Sequence, residues 1–105
     1  MTMNKTIYVK DFSITPGARH ILDGDYSGED FFKRILQPAF LGLKSGEVLE
    51  INLDGTDGYA TSFLDEAFGG LARMYGKEKV IPFLNFISVE EPYLKEEILS
   101  YMNEK

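Results

Sequence analysis

The sequence predicts an α/β domain: a small mixed sheet with an N-terminal hairpin, parallel central strands and about three helices. Three observations carry that prediction. Residues 48–53 alternate apolar Leu49, Ile51 and Leu53 with polar Glu50 and Asn52, the period of a strand with one face buried. Directly downstream the period changes: Leu64, Ala67, Phe68, Leu71 and Tyr75 recur at three- and four-residue steps, with Asp65, Glu66 and Arg73 on the opposite face, as in an amphipathic helix. From residue 28 onward helical and strand patterns alternate, which argues for parallel strands joined by helical crossovers. At 105 residues the chain is long enough for one core and too short for two, so residues 1–105 are read as a single domain.

Each element has a local reason. Thr6-Ile7-Tyr8-Val9-Lys10-Asp11-Phe12 is β-rich, and Pro16-Gly17 suits the two central positions of a type II turn. The expectation is a hairpin with residues 19–22 as its returning strand, ending at Asp23-Gly24. Ser27 is placed to cap the first helix, with Glu29 and Asp30 in the first turn, where the dipole favours carboxylates. Its stripe of Phe32, Ile35, Leu36, Ala39, Phe40 and Leu43 keeps phase across Pro38, so a kink is expected there rather than a break. Ser45-Gly46 ends it before the strand at 48–53.

Asp54-Gly55-Thr56-Asp57-Gly58 contains only turn-formers. Thr61 and Ser62 stand where a hydroxyl can accept from the first turn of the next helix, and Gly76 stands at its end. The nearly continuous apolar run at 80–87 reads as a strand covered on both faces, with Pro82 near its start. The last helix opens at Pro92 and buries Leu94, Ile98, Tyr101 and Met102. Loops leaving the carboxyl ends of parallel strands gather on one edge, which brings residues 54–62 and 88–91 together as the candidate site.

Composition narrows the chemistry. A net charge of −6 with no cluster of Lys or Arg opposes nucleic acid and anionic membrane surfaces, and no apolar run approaches the ~18 residues of a membrane span. No apolar leader is visible at the N-terminus, so a cytoplasmic location is expected. Without cysteine there is no thiol nucleophile and no thiolate metal site. His20 is the only imidazole and has no carboxylate at a suggestive spacing. Asp54, Asp57, Asp65 and Glu66 could gather a hard cation, but they match no calcium loop and read equally as turn-formers and a solvated helix face. Glycines 55 and 58 lack the Lys and spacing of a phosphate-binding loop, and no cofactor motif appears. Gly69-Gly70 within a helix costs about 1 kcal/mol per glycine, which close packing on a strand or a partner would offset.

The stretch Gly58-Tyr59-Ala60-Thr61-Ser62-Phe63-Leu64-Asp65-Glu66-Ala67-Phe68-Gly69-Gly70-Leu71 resembles the signature of a bacterial family of STAS-like domains of unknown function. Asp23-Gly24-Asp25-Tyr26-Ser27-Gly28-Glu29 and Leu36-Gln37-Pro38-Ala39 resemble it too, so the similarity runs from about residue 16 to the C-terminus. The family is named for its likeness to the sulfate-transporter and anti-sigma-factor-antagonist domain, a small regulatory module. There the strand-loop-helix unit carries an Asp, Ser/Thr, Ser/Thr, Gly motif whose second hydroxyl is phosphorylated by a partner kinase. Here the corresponding residues are Ala60, Thr61, Ser62 and Phe63, so both hydroxyls are kept and the Asp and Gly are not.

The resemblance implies a non-enzymatic protein-interaction module with no cofactor, whose partner is an anti-sigma factor or a histidine-kinase-like ATPase. Ser62, with Thr61 beside it, is the phosphorylation candidate. Asp54, Thr56, Asp57, Tyr59, Asp65 and Glu66 are the partner-binding candidates. A small metal-dependent hydrolase built on the acidic loop, or a structural subunit of an assembly, are the alternatives.

Overall fold

The computed structural model describes residues 5–104. Three strands, β1 (Lys5–Tyr8), β2 (Leu49–Asn52) and β3 (Leu84–Ile87), form one sheet in the order β1-β2-β3. Both pairings are parallel, with Ile51 of β2 opposite Ile7 on one side and Phe86 on the other. The alternation in β2 determines its place: Leu49 and Ile51 are fully buried under the helices, while Glu50 and Asn52 point to the other face and stay half exposed.

Among the described residues five helices accompany the sheet. They are α1 (Val9–Phe12), α2 over 28–41, α3 over 61–75, α4 (Lys77–Val80) and α5 (Tyr93–Met102). The α/β class and the parallel central strands agree with the sequence; the helices are more numerous because short ones flank the strands. α3 lies between α2 and α5. Phe31 of α2 meets Phe63 and Phe68 of α3 with ring centroids 5.6 and 6.0 Å apart, and Phe68 reaches Phe86 of β3 at 5.4 Å. Each fully buried ring or branched side chain contributes about 1.5–3 kcal/mol, so this helix-to-sheet seam is the main source of stability.

Three expectations are corrected. Among the described residues there is no hairpin: after Tyr8 the chain turns into α1, β1 pairs with β2 instead, and both strand pairings are parallel rather than mixed. Gly17 does not take the positive φ that a type II turn needs, and residues 14–19 use their carbonyls elsewhere. The run 80–87 is not one strand, because Pro82 cannot donate and residues 81–83 close a 3₁₀ turn ahead of β3. β3 is an edge strand with only Phe86 buried, so its apolar run reflects the packing of its approach as well as of its face.

Pro38 neither breaks nor ends α2. The segment Phe32–Leu36 immediately before it is wound as a π turn, which opens the ladder where the proline ring would meet the preceding turn. Ser27 caps α2 as its sequence implied, accepting the Asp30 N–H at 3.0 Å, and is fully buried.

Candidate functional site

Parallel strand direction delivers residues 54–60 and 88–92 to the same edge of the sheet, and the two loops clasp each other. The Asp54 carboxylate accepts the N–H groups of Val89 at 2.9 Å and Glu90 at 3.0 Å. In return the Glu90 carboxylate accepts the Gly55 N–H at 2.7 Å. The Tyr59 hydroxyl donates to the Leu53 carbonyl at 2.8 Å, and burial pushes its phenol far above the usual range, so it stays a neutral donor. The gap between these loops is about 10 Å³, at the limit for one water. This edge therefore presents a surface and not a pocket.

A strap over residues 13–19 closes the edge from the other side. The Ile14 carbonyl accepts from the Asp57 N–H at 2.7 Å, and that of Pro16 from the Ala60 N–H at 3.0 Å. Further along, Ala18 and Arg19 accept from Gly28 and Glu29 at 2.8 and 2.9 Å, in the first turn of α2. The strap thus joins the acidic loop to the starts of both long helices.

It also decides what the two hydroxyls do. Neither caps α3: the N-cap is Ala60, whose carbonyl accepts from Phe63 and Leu64. Ser62 is half-buried and donates to the Gly17 carbonyl at 3.0 Å, whereas Thr61 is exposed. Capping falls to Ala60 because Thr61 and Ser62 already lie inside the first helical turn.

The acidic residues divide into two groups. Asp54 is engaged in the clasp, Thr56 is half-buried beside Tyr59, and Asp57 is exposed at the loop tip. Asp65 and Glu66 instead face Arg19, at 2.9 and 3.5 Å, and Arg73 reaches Asp65 at 3.0 Å. Burial raises the Asp65 carboxyl, but the hydrogen bonds from the two guanidiniums outweigh it and hold the group below its ordinary value. Among the described residues no three acidic or imidazole groups converge as a metal site would require. His20 lies 3.6 Å from Glu29, at the start of α2 and away from the clasp.

Gly69 and Gly70 also separate. A side chain on Gly69 would stand 2.6 Å from the Asp65 carboxylate and 2.9 Å from Arg73, so its bareness makes room for that ion pair rather than for a strand. Gly70 faces open space. The closest helix contact is at Gly28, where a Cβ would lie 2.7 Å from the Phe63 carbonyl of α3.

Sequence reasoning missed the strap and Arg19, and it brought residues 88–91 to the site without singling out Val89 or Glu90. Val89 is 76% exposed and Ile14 55%, next to the clasp on either side, and Tyr93 at the start of α5 is 61% exposed. No local pattern marks them, since their roles arise from pairs 35 to 46 residues apart. Among the described residues no helix is long and apolar enough to cross a membrane.

No curated protein and no solved structure matches the chain. A family model described as a STAS-like domain of unknown function matches residues 27–94, which include α2, β2, the acidic loop, α3, β3 and the start of α5. The chain belongs to the family of STAS-like domains of unknown function.

Proposed function

We propose that this domain is a non-enzymatic protein-interaction module whose partner docks on the carboxyl edge of the sheet, with an anti-sigma factor or a histidine-kinase-like ATPase as the partner type. The observation that carries the reading is the exposure of Ile14 and Val89 on loops that are themselves fastened by Asp54, Glu90 and the strap. Apolar side chains on pre-ordered backbone lose little entropy on association, which is how a small surface gains useful affinity. Asp57 at the tip, and the clasped Asp54 and Glu90, make the rim acidic and set the charge a partner must complement. Exposed Lys10 borders the same edge, its stem packed against Gly55.

Phosphorylation of α3 would regulate this surface. Thr61 is open to a kinase as it stands, whereas Ser62 must first release the Gly17 carbonyl. A phosphate adds about −1.5 to −2 charge where the apolar part of a partner would pack on Ile14 and Val89, and the cost of desolvating that charge makes it a release switch.

The test uses wild type, Val89→Asp, Thr61→Asp and Ser62→Asp, each first matched for thermal stability. Partners captured from the native host are identified by mass spectrometry, their affinities measured, and cross-links from Lys10 mapped. The expected result is a partner that cross-links through Lys10, loses at least tenfold in affinity with Val89→Asp, and adds phosphate to Thr61 or Ser62 in the presence of ATP. A partner that binds Val89→Asp as tightly as wild type would remove the proposed surface. Ester or phosphate turnover lost on Asp57→Ala would replace the non-enzymatic reading.

A further inference from the structure

A second concavity lies at the opposite, amino edge of the sheet. The segment entering β2, residues 43–47, and the segment entering β3, residues 79–83, meet the end of α2 around a cleft of about 340 Å³. That volume is at the lower end of the roughly 300–1,000 Å³ of small-molecule sites. Its apolar lining is Phe40, Leu43 and Phe83; Phe40 meets the Tyr75 ring at 5.5 Å in a tilted contact, and Phe83 is left 43% exposed. Lys44 and Lys79 stand on the rim, and neither pairs with a carboxylate among the described residues.

The remaining charge on the rim is Glu47, and its carboxylate is turned onto the backbone. It accepts the Lys44 N–H at 2.6 Å, while the Glu47 N–H donates to the Lys44 carbonyl at 3.0 Å, so the two residues close a turn around Ser45 and Gly46. Two ammonium groups against one carboxylate leave the rim with a surplus of about one positive charge, on a chain whose net charge is −6.

We propose that this cleft binds a small amphipathic monocarboxylate, its aryl or alkyl body on Phe40, Leu43 and Phe83 and its carboxylate between Lys44 and Lys79. The single surplus charge favours a monoanion, because Glu47 repels a second negative group. Both edges of the sheet then carry a function, and this one does not depend on the partner surface beside Asp54.

The probe is 4-phenylbutyrate, titrated into isotope-labelled full chain and followed by amide chemical shifts, with 4-phenylbutanol as the neutral analogue. Saturable shifts confined to residues 40–47 and 79–83 are expected, with a Kd on the order of 1 mM for a ligand of this size. The Lys44→Gln, Lys79→Gln double variant should weaken the acid about three- to tenfold and leave the alcohol unchanged. Phe83→Ala should weaken both. All three substituted side chains are exposed, so thermal stability should hold and separates lost binding from lost folding. Shifts that are absent or scattered over the surface, or an acid and an alcohol that bind alike, or a lysine variant that binds the acid as wild type does, would overturn the site.

Discussion

Replacing Gly28 by alanine tests the contact that fixes α2 against α3. The added Cβ would lie 2.7 Å from the Phe63 carbonyl oxygen, 3.1 Å from the Glu66 Cβ and 3.2 Å from the Phe63 Cα, so two of the three obstacles are backbone and cannot rotate away. Relief needs the helices to part by about 0.7 Å, and the Phe31–Phe63 packing beside Gly28 resists it. With two backbone obstacles the overpacking cost lies in the upper part of its usual span, about 2–3 kcal/mol, and alanine's helix preference returns about 1 kcal/mol. The net expectation is a loss of about 1–2 kcal/mol, or a fall in Tm of about 4–16 °C for a domain of this size.

Gly70→Ala is the internal control, since nothing lies within 4 Å of its Cβ position and its backbone is helical at φ −60 and ψ −41. It should gain about 0.5–1 kcal/mol. Urea and thermal unfolding of both variants read the sign directly. A Gly28→Ala protein as stable as wild type, or a Gly70→Ala protein that is less stable, would refute the helix-contact argument.

Three further outcomes are expected. Ser27→Ala leaves the Asp30 N–H without its acceptor inside the core and should cost about 1 kcal/mol in urea titrations without changing the m-value. Asp54→Ala frees the N–H groups of Val89 and Glu90, so amide hydrogen exchange should accelerate at residues 89 and 90 and stay unchanged in α5, where Ile98 and Met102 remain packed. The Asp65 carboxyl is depressed below its ordinary 3.8 in the folded state, so its contribution is fully present above that value and is lost as pH falls through it toward the folded pKa. The stability difference between wild type and Arg19→Ala should therefore shrink as the pH is lowered from about 5 to about 2, and a constant difference across that range would assign Arg19 a packing role instead.

The chain's local patterns determined β2, α2, α3 and α5, because each is set by contacts within a few residues. Leu49 and Ile51 alternate with Glu50 and Asn52, Ser27 caps its own helix, Gly76 ends α3 with φ +93, and Pro92 stands at the cap position directly before α5 rather than as its first residue. The motif around Thr61 and Ser62 was legible for the same reason, and it lies within residues 27–94 that the family model matches. Tertiary structure decided the rest. Whether residues 5–8 fold back on themselves or lie parallel to β2 depends on which partner buries Ile7, and both choices satisfy the same β propensity. The hydroxyls of Thr61 and Ser62 look alike in sequence; the strap covers Ser62 and leaves Thr61 in solvent. Asp65 and Glu66 read as a free acidic face until the strap brings Arg19 to them from 46 residues away. Side-chain chemistry is local, but what a side chain is left free to do is decided by chain segments distant in sequence, and only the folded chain brings those together.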